Sequence, residues 1–183
     1  SLEAPGRSVT LLTAGDNGGL AKIAGPSGPT SSTNYVTCGN GGGAGSTIIY
    51  TLPGSIYGYD LTNITVYGGW ADNGRDQQAY TVHYSAVTAP STFIPLATVN
   101  YNPNIGGGIQ SAVRVVLSPA IEALATNVAA VKFDFATPPS ENGYCGINQI
   151  TILGSASGSV TITNTPSIVS TTQYATSSSA YDS

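Results

Sequence analysis

The sequence predicts an all-β fold: an antiparallel β-sandwich, a jelly roll with long loops. Short runs of β-branched and aromatic residues recur along the chain, separated by clusters of Gly, Pro, Asn and Ser. Several runs alternate with a period of two. Tyr80, Val82 and Tyr84 fall on one face, with Ala79, Thr81 and His83 on the other; Val131, Phe133 and Phe135 share a face, with Lys132 and Asp134 opposite. A helical period is nearly absent.

In chain order, strands are expected at residues 8–13 (SVTLLT), 46–52 (STIIYTL), 61–67 (LTNITVY), 79–85 (AYTVHYS), 94–99 (IPLATV), 113–118 (VRVVLS), 129–135 (AAVKFDF) and 149–153 (QITIL). Each is bounded by turn residues, the arrangement of a sandwich or jelly roll. One short helix is expected over Pro119-Ala120-Ile121-Glu122-Ala123-Leu124-Ala125, with Ser118 as N-cap and Pro119 at the first helical position. Strands and helices do not alternate, which disfavours a parallel α/β sheet. No fixed-period repeat marks a propeller or solenoid.

The 183 residues suit one sizeable core, here residues 1–154, followed by an extension over residues 155–183. That extension holds no Lys or Arg, one acid, and many Ser and Thr, the composition of a linker or O-glycosylated stalk. The other reading is an added edge strand at residues 160–163 followed by coil. A linker would imply a larger parent protein. Residues 14–45, rich in Gly, Ser and Pro, read as a long loop that is functional or tied down, with Cys38 as the tie.

Charged residues make up 8% of the chain and hydrophobic ones 40%, the reverse of the balance that keeps chains disordered. Five scattered cations in a chain of net charge −4 cannot build the basic footprint that nucleic acid or an anionic membrane requires. No apolar run reaches the roughly 18 residues of a membrane helix, so membrane insertion is not expected. Low Lys and Glu with abundant Ser, Thr, Gly and Tyr point to a secreted or cell-surface protein. Asn63-Ile64-Thr65 matches the acceptor tripeptide for N-glycosylation, which would modify Asn63 in a eukaryotic host.

Cys38 and Cys145 are the full cysteine count, and with a single histidine, His83, they cannot complete a structural zinc centre. One disulfide or two free thiols remain, and secretion favours the disulfide. It would close a loop of about 107 residues and stabilise by about 4–5 kcal/mol in the chain-entropy model.

Five stretches, in order, resemble the galactose-binding-like jelly rolls, the group of discoidin domains and many carbohydrate-binding modules. Thr47-Ile-Ile-Tyr-Thr-Leu, Tyr59-Asp-Leu-Thr-Asn-Ile-Thr-Val-Tyr and Gln78-Ala-Tyr-Thr-Val-His-Tyr-Ser are similar to three successive strands of that family. Val128-Ala-Ala-Val-Lys-Phe-Asp-Phe and Gly146-Ile-Asn-Gln-Ile-Thr-Ile-Leu-Gly are similar to its closing pair. The likeness spans about residues 45–154. It departs from the discoidin pattern in lacking the early Trp, in Lys132 where Arg is frequent, and in internal rather than terminal cysteines. The resemblance implies a jelly roll that binds carbohydrate.

Two loops carry the residue types that recognition needs. Trp70-Ala-Asp-Asn-Gly-Arg-Asp-Gln-Gln gathers Trp70, Asp72, Asn73, Arg75 and Asp76 at a strand end, where β-sandwiches carry binding groups. A flat ring suits the C–H face of a sugar and planar polar groups suit its hydroxyls. The alternative is structural: Trp70 caps the core, and Arg75 pairs with Asp72 or Asp76 to hold the loop. In Ser140-Glu-Asn-Gly-Tyr-Cys-Gly, Asn142 and Tyr144 present an amide and a ring, or else Tyr144 covers the cysteines while Gly143 and Gly146 serve a turn. Asp72, Asn73 and Asp76, or Asp16 with Asn17, offer oxygen ligands for a structural Ca²⁺, though their spacing is not that of an EF-hand. For catalysis, His83 lies mid-strand among aromatic residues, no G-x-S-x-G elbow is present, and no carboxylate pair is singled out by spacing. The expected function is a non-catalytic carbohydrate-binding module of a secreted protein. Its rivals are a structural or adhesion domain without small ligand and, third, a glycan-active hydrolase.

Overall fold

The computed structural model describes residues 8–11, 36–39, 46–52, 54–70, 74–103, 111–136, 138, 143–159 and 171–175; of the first and last of these, and of Val36, Trp70, Ser111 and Ala112, it describes the backbone alone. Ten strands follow in order: β1 Ser8–Leu11, β2 Val36–Gly39, β3 Ser46–Thr51, β4 Tyr59–Trp70, β5 Gln78–Ala86, β6 Ile94–Tyr101, β7 Ser111–Pro119, β8 Ala125–Phe135, β9 Tyr144–Ala156 and β10 Thr171–Ala175. Every pairing is antiparallel. One layer runs β1-β3-β8-β5-β6 and the other β2-β9-β4-β7-β10. They join where β4 also pairs with β8, at Tyr59 and Leu61.

The period-two pattern decides which side chains enter the space between the layers. Ile48 and Tyr50 of β3, Tyr80 and Val82 of β5, and Val131, Phe133 and Phe135 of β8 are buried from one side. Ile64 and Val66 of β4, Val115 and Leu117 of β7, and Ile150 and Ile152 of β9 meet them from the other. At the centre, Phe133 stands edge-on to Tyr50 at 6.1 Å between centroids and to Tyr80 at 5.9 Å, and stacks on Phe135 at 6.2 Å. The first two contacts place ring edges against ring faces, and all three add to the area the rings bury.

All eight predicted strands are present, most of them longer than expected: β4 reaches Trp70 and β9 runs from Tyr144 to Ala156. Two more strands lie where none was expected. β2 falls inside the long 14–45 loop and pairs with β9. β10 falls within the 155–183 extension and pairs with β7, while the edge strand considered at residues 160–163 lies outside the described residues. The expected helix over residues 119–125 is absent. β7 continues to Pro119, residues 120–124 form a turn, and β8 starts at Ala125. The Leu124 amide donates to the Leu61 carbonyl at 2.7 Å, so β4 supplies the partner that a helix would have found within itself. Leu124 is buried and Ile121 is 84% exposed, a division made by the sandwich rather than by a helical face.

Candidate functional site

β4 ends at Trp70, whose backbone lies opposite Ser111 of β7, and the chain re-enters the sheet at Gln78 in β5. β9 begins at Tyr144, directly after Gly143 in a left-handed turn conformation (φ +79°). These two connections meet. The Gly146 amide donates to the Arg75 carbonyl at 2.6 Å, and the Arg75 guanidinium carbon lies 5.2 Å from the centre of the Tyr144 ring. The Trp70 loop and the Tyr144 loop therefore occupy the same end of the sandwich.

Beneath this contact sits Gln78, fully buried, with its amide nitrogen 3.3 Å from the Asp76 carbonyl and 3.4 Å from the Gly146 carbonyl. It fits because residue 68 is glycine: a Cβ there would lie 2.3 Å from the Gln78 amide nitrogen. On the other side Gly39 (φ +110°) approaches so closely that a Cβ would stand 2.5 Å from the Gly143 carbonyl oxygen. Gln78, Gly68 and Gly39 form the support of the site and were not singled out from sequence. Nothing local marks a buried glutamine whose partners lie on three segments.

Of the predicted site residues, the structure brings Arg75 and Tyr144 together as a half-buried cation–π pair. Such a pair offers a planar cation for hydroxyl oxygens and a ring for an apolar face. Asp76 is 1% exposed, which puts its carboxylate inside the loop rather than on its surface. Trp70 closes β4, but its ring, together with Asp72, Asn73, Asn142, Asp16 and Asn17, lies outside the described residues. Of the expected calcium ligands only Asp76 is described, and among the described residues no three His, Cys, Asp or Glu side chains are grouped to hold a metal. Asn63 is half-buried in mid-β4, its side-chain oxygen accepting from the Thr65 hydroxyl at 2.7 Å. Cys38 and Cys145, expected as a disulfide, are opposed across the β2–β9 ladder, both buried, with no disulfide joining them in this structure. Among the described residues no helix is long and apolar enough to cross a membrane.

His83 sits on the outward face of β5. Its Nδ1 is 3.5 Å from Asp134 Oδ2, which also receives Lys132 Nζ at 2.7 Å, while Thr47 donates to Asp134 Oδ1 at 2.7 Å. Desolvation, then the Lys132 charge, lower the pKa of His83 against the opposing pull of Asp134 and the Thr81 backbone. Burial pushes the Asp134 carboxyl up, but its bonds to Lys132 and Thr47 and the two nearby charges outweigh this and hold it below the ordinary range. Both folded pKa values are depressed, so the folded state binds fewer protons than the unfolded one. The His83 contribution is complete above about pH 6.5 and the Asp134 contribution above about pH 3.9; each is lost as pH falls through the folded value. Thermal midpoints are expected to fall as pH drops below about 6.5, and His83→Gln should flatten that upper part of the slope. Equal slopes for the two proteins would remove His83 from the account.

No protein-family model matches the sequence, and no curated protein matches it. Solved structures do. An allantoicase structure superposes with a TM-score of 0.51 at 14% identity, covering 80% of this chain and 40% of that one. A mutant lectin binding domain of lectinolysin, complexed with Lewis b, superposes with a TM-score of 0.50 at 11% identity, covering 86% of this chain and 97% of that one. A CBM32 chain from Clostridium perfringens, in complex with GalNAc-β-1,3-galactose, superposes more loosely, with a TM-score of 0.38 at 15% identity over 59% of this chain and 65% of that one. This chain thus spans less than half of the allantoicase chain. The first two superpositions, with the layer order above, show that this chain shares the antiparallel β-sandwich fold of those structures.

Proposed function

We propose that this domain is a non-catalytic carbohydrate-binding module that takes glycan at the end of the sandwich formed by the 70–76 and 140–146 loops. The observation that carries the reading is the meeting of Arg75 with Tyr144, which joins at one place the two loops that sequence alone left apart. Trp70, Asp72, Asn73 and Asn142 belong to the same two loops and complete the proposed contact set, with Asp76 holding the loop from inside. The fold supports this reading, since a superposable lectin binding domain was solved with Lewis b, but a fold does not by itself assign a ligand. Secretion, attachment to a larger protein and avidity through that attachment complete the proposal. Glycosylation at Asn63 belongs to it where the host is a eukaryote.

In a glycan-array screen, Trp70→Ala and Tyr144→Ala should each weaken binding by about tenfold or more, the effect of removing an aromatic anchor. Their melting points should stay near that of the wild type. Undiminished binding by both variants defeats the reading. A structural Ca²⁺ would draw on Asp72 and Asp76 in this turn; chelation that leaves melting and binding unchanged rules the ion out.

Two observations favour a second reading. The burial of Asp76 and the seating of Arg75 on Tyr144 are also what a loop built only for shape would show, as in an adhesion domain with no small ligand. A domain that binds no glycan on the array, yet loses stability with Arg75→Ala, belongs to that class. Polysaccharide hydrolysis lost in Asp76→Asn would instead make the domain an enzyme.

A further inference from the structure

We propose that Cys38 and Cys145 are a two-state redox pair whose bond is made while the chain folds and then clamps β2 to the Tyr144 side of the loop end. The two residues are directly opposed in the antiparallel β2–β9 ladder. Opposed residues there have Cα atoms roughly 4.5–5.5 Å apart, within the roughly 4.4–6.8 Å that a disulfide spans. Both side chains are 0% exposed and no disulfide joins them, so the ladder positions them without needing the bond. The Ala79 amide donates to Cys145 Sγ at 3.3 Å, which holds that sulfur against β5 in the interior.

Access decides when the bond can form. Exchange needs a thiolate and an in-line approach by another sulfur, and both side chains are 0% exposed in the folded domain. Burial also drives the Cys38 thiol well above its ordinary range, with Cys145 adding to the effect. The state present when β2 docks on β9 is therefore the state that persists. The chemistry is two successive exchanges with a low-molecular-weight disulfide. One cysteine thiolate attacks it and releases one thiol; the second attacks the mixed disulfide and releases the other. One protein S–S bond forms, the oxidant's S–S bond breaks, and the two protons lost by the cysteines end on the two released thiols.

The clamp joins neighbours of the site. Cys38 precedes Gly39, which is wedged against Gly143, and Cys145 lies between Tyr144 and Gly146, the two residues that meet Arg75. The inference does not depend on glycan binding.

The test compares two refolding protocols on the wild-type chain, with a cysteine-free variant as control. One sample of reduced, denatured protein is refolded with oxidised glutathione present; a second is refolded reduced and given oxidised glutathione only after folding. The first should be lighter by two hydrogens, take up no alkylating reagent after denaturation, and melt about 10 °C above the second, the order of effect expected for closing so long a loop. The second should keep both thiols and be alkylated only once denatured. A Cys38→Ala, Cys145→Ala double variant should melt the same under either protocol. Two alkylatable thiols in the first sample, equal melting points, or prompt oxidation of the folded second sample would each overturn the proposal.

Discussion

Phe133→Ala is expected to cost about 3–5 kcal/mol, the usual price of emptying a large aromatic site in a close-packed core. The ring is completely buried and is the one shared by Tyr50, Tyr80 and Phe135. The neighbouring side chains cannot collapse into the space because each is fixed to its own strand, Tyr50 on β3 and Tyr80 on β5. Domains of ordinary stability hold about 5–15 kcal/mol in total, so this single change removes a large share. Phe93→Ala is the contrast. That ring is half-buried under the Lys132 ammonium at 5.1 Å, and its loss should cost on the order of 1 kcal/mol. Urea midpoints of the two variants, read at unchanged slope, test the ranking. Similar midpoints would mean that Phe133 is not the centre of the core.

Gly58→Ala is expected to cost on the order of 3 kcal/mol through the backbone alone. Gly58 has φ +73°, and a Cβ on it would stand 2.6 Å from the Asn127 carbonyl carbon and 2.7 Å from the Val128 carbonyl oxygen. Those atoms cannot retreat, because Asn127 is itself held in a left-handed conformation (φ +53°) by its neighbours. Its amide donates to Asp60 Oδ1 at 3.1 Å, and its side-chain nitrogen donates to the Tyr57 and Ser159 carbonyls. The Ser157 amide donates to the Gly58 carbonyl at 2.9 Å and extends the β4–β9 ladder, while the Asn127 bonds to Asp60 and Tyr57 tie β8 of the other layer to this corner. Gly54→Ala isolates the conformational part. Gly54 also has positive φ (+101°) but would bring its Cβ no closer than 3.5 Å to the Tyr59 hydroxyl, and about 1 kcal/mol is expected. Equal melting points for the two alanine variants would show that the close approach at Gly58 is relieved by movement.

The strands most legible in the sequence are those with one wet and one buried face. Along 79–85 and 129–135 the alternation is written residue by residue, and β5 and β8 pair along that pattern. β2 was hidden because its four residues end in glycine between Gly- and Ser-rich segments, and its ladder among the described residues is to β9, more than a hundred residues away. The turn at residues 120–124 looked helical because capping and propensity are local, whereas the bond that settles it comes from Leu61 on another strand. The site was legible by residue type alone. Sequence picked out Arg75 and Tyr144 separately; their contact depends on how β5 and β9 enter the sandwich, which no local pattern records. Asp76 read either as a ligand contact or as a partner of Arg75 that holds the loop, and its burial, which no local pattern records, follows from tertiary packing.

β4 is the hub of the sandwich, pairing with β7, β8 and β9. All three partners follow it by more than forty residues, so their loops must close before any of these ladders is rewarded. Synthesis from the N-terminus thus leaves both edges of β4 open until residue 119 has emerged, and the edge that takes β9 open until residue 156. A chain halted before β9 should stay sensitive to protease and require a holding chaperone, however complete its first layer is.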